Sequence, residues 1–393
     1  MSRKVTMKPM ANFLLMRPIP IPAGGYVCNI CSRSQGISPL RQNRKYSSIS
    51  TSTQTPLALA KKGIARLSSR RLISLRGPDS TKYLQGVITN DIYKEGSKGG
   101  FYSAFLNAQG RVLNDVWIYK DLHGGKGGEN WLIEVDAKEV EVLAKHIRRY
   151  RMRAKFDVEI VREEDRGVYS LWGAVGDVKW ETSDHGIVCV DSRAPGMGKR
   201  IISNGAGIQT EDNDVQVQGD DVYRVRRYLI GVPEGQNEIL RESALPQESN
   251  VDVMGGIDYG KGCYVGQELT IRTHHMGVVR KRIVPMMLVP DGEDMPGLGE
   301  LRFHGGDLAS GLVGGESIKK VGGKRPAGKW LSGVGNLGLG LARLDEMGRW
   351  MTETGEGNHG DSSEEFVVEG KGEKEGEVKK IRVRAFPPAW IET

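Results

Sequence analysis

The chain has 393 residues, of which 38% are apolar and 27% are charged, and its net charge is +7. This length is enough for two or three domains. No apolar run approaches the roughly 20 residues that a membrane-spanning helix needs, so we predict no membrane insertion. The first 50 residues carry eight Lys and Arg and no acid, which leaves a net charge of about −1 for the rest. That balance argues against a nucleic-acid-binding surface.

Residues 1–46 have the composition of a mitochondrial transit peptide, because they are basic, contain serine and lack acids. The sequence Arg44-Lys45-Tyr46-Ser47 resembles a matrix processing site, which predicts a mature chain that begins near Ser47. The alternative is a basic tail without a targeting role. Cys28 and Cys31 have the spacing of a metal-binding pair. They lie in this leader without a second pair, so we predict no metal site there.

The next part of the chain begins with one short helix and a group of strands. Asp79 is placed to cap a helix that starts directly after it. Residues 101–106 and 111–119 are predicted strands, joined as a hairpin through residues 107–110. Residues 131–135 form a third predicted strand.

A longer helix is predicted after this third strand. Asp136 is its expected N-cap, and Glu139 completes a capping box. One buried face of this helix is predicted from apolar residues at helical spacing, namely Val140, Leu143, Ala144 and Ile147. Strands and helices do not alternate as in a doubly wound sheet, which favours an α+β fold over a Rossmann fold.

From about Ile283 onward the pattern changes to short strands with many glycines, which predicts an all-β C-terminal domain. Residues 354–380 are rich in glycine, glutamate and lysine and poor in apolar residues, so we predict a disordered insertion there. Residues 382–390 are expected to form the last strand and its proline-marked end.

The segment around Cys263 has the pattern of a functional site. Gly260, Gly262 and Gly266 surround this cysteine, which predicts a turn that leaves the thiol uncrowded. Residues 267–275 are a predicted helix. A thiol close to a helix N-terminus, with Lys261 nearby, favours the thiolate, which is a nucleophile and a soft metal ligand. The alternative is a small buried hydrophobe.

Two other motifs in the same segment do not fit a function. The glycines at 260, 262 and 266 have the wrong spacing for a dinucleotide-binding fingerprint. His274 and His275 are adjacent on the predicted helix, where neighbouring side chains point about 100° apart. We therefore do not expect the two imidazoles to bind one metal ion.

The octapeptide from Lys261 to Glu268, KGCYVGQE, resembles the signature of the YgfZ family, whose mitochondrial members serve iron–sulfur cluster assembly. The candidate signature residues around Cys263 are Lys261, Gly262, Tyr264, Gly266, Gln267 and Glu268. Weaker matches occur in the family's order at residues 83–86, 89–91, 107–111, 223–235, 245–248 and 272–280.

This resemblance implies a fold and a role. The fold is the folate-binding fold of the glycine-cleavage aminomethyltransferase, as two α+β subdomains over residues 57–282 and a C-terminal β-barrel over residues 283–393. The role is maturation of 4Fe–4S proteins in the mitochondrial matrix. An A-type iron–sulfur carrier is the implied partner, and aconitase-type and radical-SAM enzymes such as lipoyl synthase are the implied clients.

The number of cysteines limits how such a role could work. A 4Fe–4S cluster is normally held by four thiolates. The chain after the leader has Cys263 and Cys189, and Cys189 lies in an apolar run that predicts a buried strand. We therefore expect Cys263 to contribute one thiolate to a cluster that is shared with the carrier. A pure interaction protein with an inert thiol is an alternative.

A tetrahydrofolate-dependent, aminomethyltransferase-like enzyme is the rival hypothesis. Asp115 and Trp117 share one face of their predicted strand, where a carboxylate and an aromatic ring suit a pterin. With Arg111 and Asn90 they form the candidate pocket for tetrahydrofolate. The alternative is a core tryptophan beside a surface aspartate.

Two departures from the aminomethyltransferase pattern weigh against this enzyme hypothesis. Asn114 stands where those enzymes have the first of two paired acids. Leu229 stands where they have a folate-contacting glutamate. We therefore expect an assembly factor and not an enzyme.

Overall fold

The computed structural model describes residues 61–122, 129–173, 178–180, 186–205, 207–210, 215–347, 365–371 and 378–391. These residues all belong to one compact unit, Thr53–Thr393. The predicted transit peptide, with Cys28 and Cys31, lies outside the described residues.

The strands of the described ranges are, in chain order, β1 (Gly63–Arg66), β2 (Arg70–Arg76), β3 (Gly100–Leu106), β4 (Val112–Lys120), β5 (Asn130–Asp136), β6 (Asp157–Ile160), β7 (Arg166–Trp172), β8 (Val178–Trp180), β9 (Ile187–Val190), β10 (Lys199–Asn204), β11 (Ile208–Thr210), β12 (Val217–Gln218), β13 (Lys281–Val289), β14 (Ser317–Lys320), β15 (Pro326–Val334), β16 (Leu337–Arg343), β17 (Phe366–Lys371) and β18 (Val378–Ala385). The α-helices are α1 (Ser80–Val87), α2 (Ile92–Glu95), α3 (Val140–Tyr150), α4 (Asp220–Ile230), α5 (Gln267–Met276) and α6 (Leu344–Met347). Short 3-10 turns lie at Gly96–Lys98 and Leu308–Gly311. No helix in these ranges is long and apolar enough to cross a membrane.

Two five-stranded sheets form the first part of the fold. Their strand orders are β3-β4-β5-β2-β6 and β12-β1-β7-β10-β9, and β1 with β12 is a parallel pair. One core cluster contains side chains of both sheets, including Leu72 and Trp117 from the first and Val168 and Ile202 from the second. The sheets therefore enclose a common interior, and the predicted α+β class is confirmed.

The opposite face of the first sheet is covered by helices α1, α2 and α3. The predicted apolar face of α3 is confirmed, because all four of its residues are buried in the cluster on this side. The predicted strands over residues 101–106, 111–119 and 131–135 match β3, β4 and β5 to within one residue at each end. Trp117 and Tyr119 face the interior while Val116 and Ile118 face the helices, as strand alternation requires.

The predicted N-caps of α1 and α3 are wrong, because neither helix has a side-chain hydrogen bond at its N-cap. Helix α3 begins only at Val140, so Glu139 takes the N-cap position, without a side-chain bond. A turn separates Asp136 from the helix, and its carboxylate instead accepts from the backbone N–H of Lys138 at 2.9 Å. Asp79 does precede α1, but its carboxylate accepts from the backbone N–H of Lys155 at 2.7 Å.

The C-terminal part is a closed barrel with the strand order β13-β16-β15-β14-β17-β18, and β18 pairs with β13 to close it. Val368 and Val383 point into its core, together with Trp330. The predicted disordered insertion is wrong over β17 and the first residues of β18, since alternating Phe366 and Val368 fill the barrel interior. Residues 354–364 and 372–377 of that prediction lie outside the described residues.

Candidate functional site

The loop before α5 presents Cys263 on the surface. Cys263 and Gly262 are exposed, whereas the following Tyr264 is buried. The backbone N–H of Val265 donates to the carbonyl of Gly86 at 3.1 Å, which ties the loop to the end of α1. The predicted helix over residues 267–275 is confirmed as α5, which extends by one residue to Met276. The sequence therefore folds into an anchored loop with the thiol on its outer side.

Lys261 anchors this loop from the inside. Its ammonium donates to the backbone carbonyls of Gln85, Ile88 and Asn90 at 2.8, 2.7 and 2.8 Å. The Nζ atom also lies 4.9 Å from the centre of the Tyr264 ring, within range of a cation–π contact. Burial lowers the pKa of Lys261 to about 8. An ammonium has three N–H donors, so these bonds use all of them.

The structure gives Lys261 a positioning role that the sequence does not indicate. The expectation that its charge favours a thiolate at Cys263 stays a prediction. The three acceptors of Lys261 are about 170 positions earlier in the chain, in the last turn of α1 and the segment that follows it. No local pattern indicates such partners.

The start of α5 is held by two further contacts. The side-chain oxygen of Gln267 accepts from the backbone N–H of Tyr264 at 3.1 Å, so the first helical residue reaches back to the loop. Gly266 takes the N-cap position in the left-handed conformation, with φ of +81°. There its carbonyl oxygen would lie 3.0 Å from a Cβ atom on Gly110, the glycine of the β3–β4 turn. The backbone of the loop that carries Cys263 and the backbone of the β3–β4 turn are therefore in direct contact.

Gly266→Ala is expected to destabilise the fold by about 2–4 kcal/mol, because alanine is strained at this φ and its Cβ would collide with the carbonyl oxygen of Asn107. The matched control is Gly262→Ala, because Gly262 has no positive φ and a Cβ there would meet nothing within 4 Å. Chemical denaturation of both variants measures the difference. Equal stability of the two variants would contradict this packing.

Residues before Cys263 and on α5 brace the loop at its edges. Asp258 accepts from the Lys94 ammonium at 2.7 Å, which links the loop to α2. The rings of Tyr259 and His274 stack with centroids 3.7 Å apart and an interplanar angle of 10°. His274 therefore has a packing contact in the loop that carries Cys263. Glu268 lies on the exposed side of α5.

The two described cysteines differ in their surroundings. Cys189 is buried in β9, as the sequence predicts, and burial raises the pKa of its thiol to about 12. Cys263 is exposed. No group of three or more His, Cys, Asp or Glu side chains that could hold a metal ion occurs within the described ranges.

Iodoacetamide at neutral pH is expected to alkylate Cys263 and to spare Cys189, because the reaction needs an accessible thiolate. Peptide mass spectrometry on the native chain measures the modified fraction at each position. Denatured protein is the control, in which both cysteines should react. Alkylation of Cys189 in the native state at the rate of Cys263 would contradict the buried position of the Cys189 thiol.

The four residues predicted to bind folate do not line a common open pocket. Asp115 and Trp117 are each 0% exposed, whereas Arg111 is partly exposed and donates to the carbonyl of Ser243 at 2.8 Å. Asn90 is buried, and its amide donates to the carbonyls of Tyr102 and Gly255. The prediction that Asp115 and Trp117 share a face is confirmed, but that face is turned into closed interior.

Asp115 is fully buried and both of its carboxylate oxygens have protein partners, so a pterin has no access to it. One carboxylate oxygen lies 3.3 Å from the guanidinium of Arg70, and the other accepts from the backbone N–H of Gly235 at 3.0 Å. Burial raises the pKa of Asp115, and the charge of Arg70 partly offsets this rise. Leu229 packs in an apolar cluster together with residues of the barrel. The residues in this arrangement do not fit tetrahydrofolate.

A buried network of charges, which the sequence patterns do not reveal, occupies this interior. The side chains of Arg70 and Arg200 both bond to Glu134, at 2.8 and 2.5 Å. Arg193 and Arg200 bond to Glu234 at 2.7 and 2.8 Å. The signs of this network in the sequence are Glu134 and Asp115, charged residues within the apolar runs of β5 and β4.

The two-sheet body and the closed barrel define the class of the fold. The glycine cleavage system aminomethyltransferase T from Bartonella henselae has a similar structure, with a TM-score of 0.56 and 13% identity, over 84% of this chain and 87% of that chain. Residues 280–393 match the family model described as CAF17, C-terminal beta-barrel domain. The aminomethyltransferase-like fold with a C-terminal barrel, expected from the sequence, is confirmed.

Curated relatives define the family. A protein of Pyricularia oryzae is 45% identical over 386 residues, covering 96% of this chain and 95% of its own length. One of Chaetomium globosum is 43% identical over 412 residues, with 94% of each chain covered. Both are named iron-sulfur cluster assembly factor IBA57 homolog, mitochondrial. This chain belongs to that family, which confirms the resemblance found in its signature octapeptide.

Proposed function

We propose that this chain is a mitochondrial iron–sulfur cluster assembly factor and that Cys263 contributes one thiolate to a cluster shared with an A-type carrier. The cluster is the cargo of this process. The single observation that carries the proposal is the exposed Cys263 on a loop that Lys261 anchors through three carbonyls. Membership of the assembly-factor family supports the same role.

A shared cluster follows from the ligands at hand. A 4Fe–4S cluster normally takes four thiolates, and the second described cysteine, Cys189, is buried. The remaining ligands must therefore come from a partner with its own cysteines. When Cys263 binds iron, its thiol releases a proton to solvent, and the thiolate occupies one coordination position.

The surface near Cys263 suits contact with a protein partner. Val265 is 43% exposed, two residues after the cysteine. Met276, the last residue of α5, and Val278 are 87% and 79% exposed at the far end of that helix. Exposed apolar side chains on one part of a surface are typical of interaction sites. We assign this side of the molecule to the carrier.

We propose the mitochondrial matrix as the location and 4Fe–4S enzymes of the aconitase and lipoyl synthase types as the clients. The acid-free leader of residues 1–46 supports import into mitochondria. A catalytic one-carbon transfer is disfavoured, because both oxygens of Asp115 already have partners in the closed interior.

A deletion strain of a mitochondrion-bearing host tests this function. Cells that lack their own family member are expected to lose aconitase activity and protein lipoylation, and the full chain should restore both. The activity of a Rieske enzyme, whose cluster is 2Fe–2S, and total iron uptake serve as internal comparisons for general mitochondrial damage. Deletion without any loss of aconitase activity or lipoylation would contradict the proposed function.

A further inference from the structure

A basic surface lies at the end of α3 and in the turn that follows it, away from the mechanism proposed above. The fifteen residues 142–156 contain six basic side chains and no acid. These six residues are Lys145, Arg148, Arg149, Arg151, Arg153 and Lys155. Because the body of the chain is near neutral overall, this segment is a local concentration of positive charge.

Only part of this charge serves the fold. Arg148 and Arg151 each donate to one backbone carbonyl, of Val158 at 3.0 Å and of Phe156 at 2.6 Å, and so hold the turn against β6. Lys145, Arg149, Arg153 and Lys155 are exposed, and the described part of the chain offers their charged groups no acidic partner within ion-pair distance. These four cations face solvent.

A groove of about 470 Å³ runs between this turn and the end of β2. Its walls carry the cations of Arg76, Arg151, Arg153 and Lys155 and one acid, Asp157. Of the acids around it, Glu159 pairs with Arg76 at 3.6 Å and Asp79 accepts from a backbone N–H. The groove is therefore open and carries a net positive charge, +3 from its walls and +1 when Glu159 and Asp79 are included, which suits phosphate groups.

Two large side chains protrude from the same turn. Met152 is 83% exposed and Tyr150 is 51% exposed. Met152 has a φ of +52°, a backbone conformation that is unusual for a residue of its size. The fold thus holds an unbranched apolar side chain outward in the middle of six cations.

We propose that this surface docks the protein on an anionic phospholipid membrane. The groove takes lipid phosphates and Met152 enters the interfacial layer, while the half-exposed Tyr150, with its ring still against His146, lies at the level of the headgroups, where tyrosine is favoured. Clustered Lys and Arg bind anionic membranes through the same attraction. This surface and its occupant are independent of Cys263 and of the assembly role.

Two other polyanions fit the surface less well. Nucleic-acid binding uses free aromatic faces for base stacking, but the Tyr150 ring already contacts the His146 ring at 4.6 Å and the Arg149 guanidinium at 5.5 Å. The core of a protein interface is depleted in charge. Met152 instead has Arg151 and Arg153 as its direct neighbours in the sequence.

Binding of the full chain to phosphatidylcholine–phosphatidylserine vesicles tests the proposal by co-sedimentation. Replacing Arg149, Arg153 and Lys155 by alanine is expected to weaken binding about 100-fold, because each cation near an anionic surface contributes about a fivefold factor. The matched control replaces Lys324, Arg325 and Lys329, which are exposed on the barrel, and should change binding little. Circular dichroism checks that both variants fold.

Every variant retains the basic leader, which could also bind anionic vesicles. Hydrogen exchange shows whether the vesicles contact the surface at the end of α3 instead. Residues 148–156 should gain protection with the phosphatidylserine vesicles and none with pure phosphatidylcholine. Equal binding of the two triple variants, or no protection of this segment, would overturn the proposal. Protection by single-stranded RNA or a polyglutamate peptide, without protection by vesicles, would also overturn it by showing a different partner.

Discussion

Cys263→Ser is expected to lose at least about tenfold in the rate at which the chain and an A-type carrier activate apo-aconitase in vitro. Serine keeps the size of the side chain but replaces a soft thiolate with a hydroxyl that stays protonated near neutral pH and binds iron poorly. Because Cys263 is exposed, its replacement should change the free energy of unfolding by no more than about 0.5 kcal/mol. The effect is then chemical and not structural.

Cys189→Ala is the control for this loss. Cys189 is buried in β9, so its truncation should cost about 1 kcal/mol of stability while activation of aconitase persists. Cys263→Ser should therefore lose activation with little change in stability, whereas Cys189→Ala should lose stability and keep activation. An active Cys263→Ser chain, at wild-type rate, would remove the thiol from the mechanism.

Arg200→Met is expected to destabilise the fold by about 3–5 kcal/mol, since it leaves two buried carboxylates short of a partner. Arg200 bonds to Glu134 at 2.5 Å, to Glu234 at 2.8 Å and to the hydroxyl of Tyr223 at 2.5 Å, and none of these side chains is more than slightly exposed. Urea denaturation measures the change. Arg325→Met on the barrel surface is the control and should stay within about 0.5 kcal/mol.

The pH dependence of this effect has a definite sign. Burial alone would raise the pKa of Glu134 and Glu234, but Arg200 and the neighbouring arginines outweigh it and hold both below the usual value of 4.5. Their charges therefore stabilise the native state above that value. The gap between wild type and Arg200→Met should be largest at neutral pH and shrink as the pH falls through 4.5. A gap that does not change with pH would contradict the network.

Local patterns in the sequence were sufficient for the parts of the fold that depend on neighbours in the chain. Strands β3 and β4 show apolar runs around a Gly110 turn, and α3 shows its buried face at helical spacing. The capping of α3 was not predictable in the same way, because Asp136 makes its other hydrogen bond to Gln236, one hundred positions away. Composition also misled at β17, where Phe366 and Val368 are enough to complete the barrel.

In the candidate site, too, the features that depend on neighbours in the chain were predictable and those that depend on distant residues were not. The octapeptide and its glycines indicate an exposed Cys263 without any knowledge of the fold. The task of Lys261 depends on carbonyls in the last turn of α1 and just after it, which only the tertiary structure brings to it. Asp115 and Trp117 share a face, as strand alternation dictates, but whether that face opens to a ligand depends on Arg70 from another strand.

The most direct measurement is anaerobic reconstitution of the chain with an A-type carrier, followed by gel filtration and absorption spectroscopy. A coloured complex that co-elutes with both proteins, persists in Cys189→Ala and is lost in Cys263→Ser is the predicted result. A complex whose spectrum and elution are unchanged by Cys263→Ser would contradict the shared-cluster account.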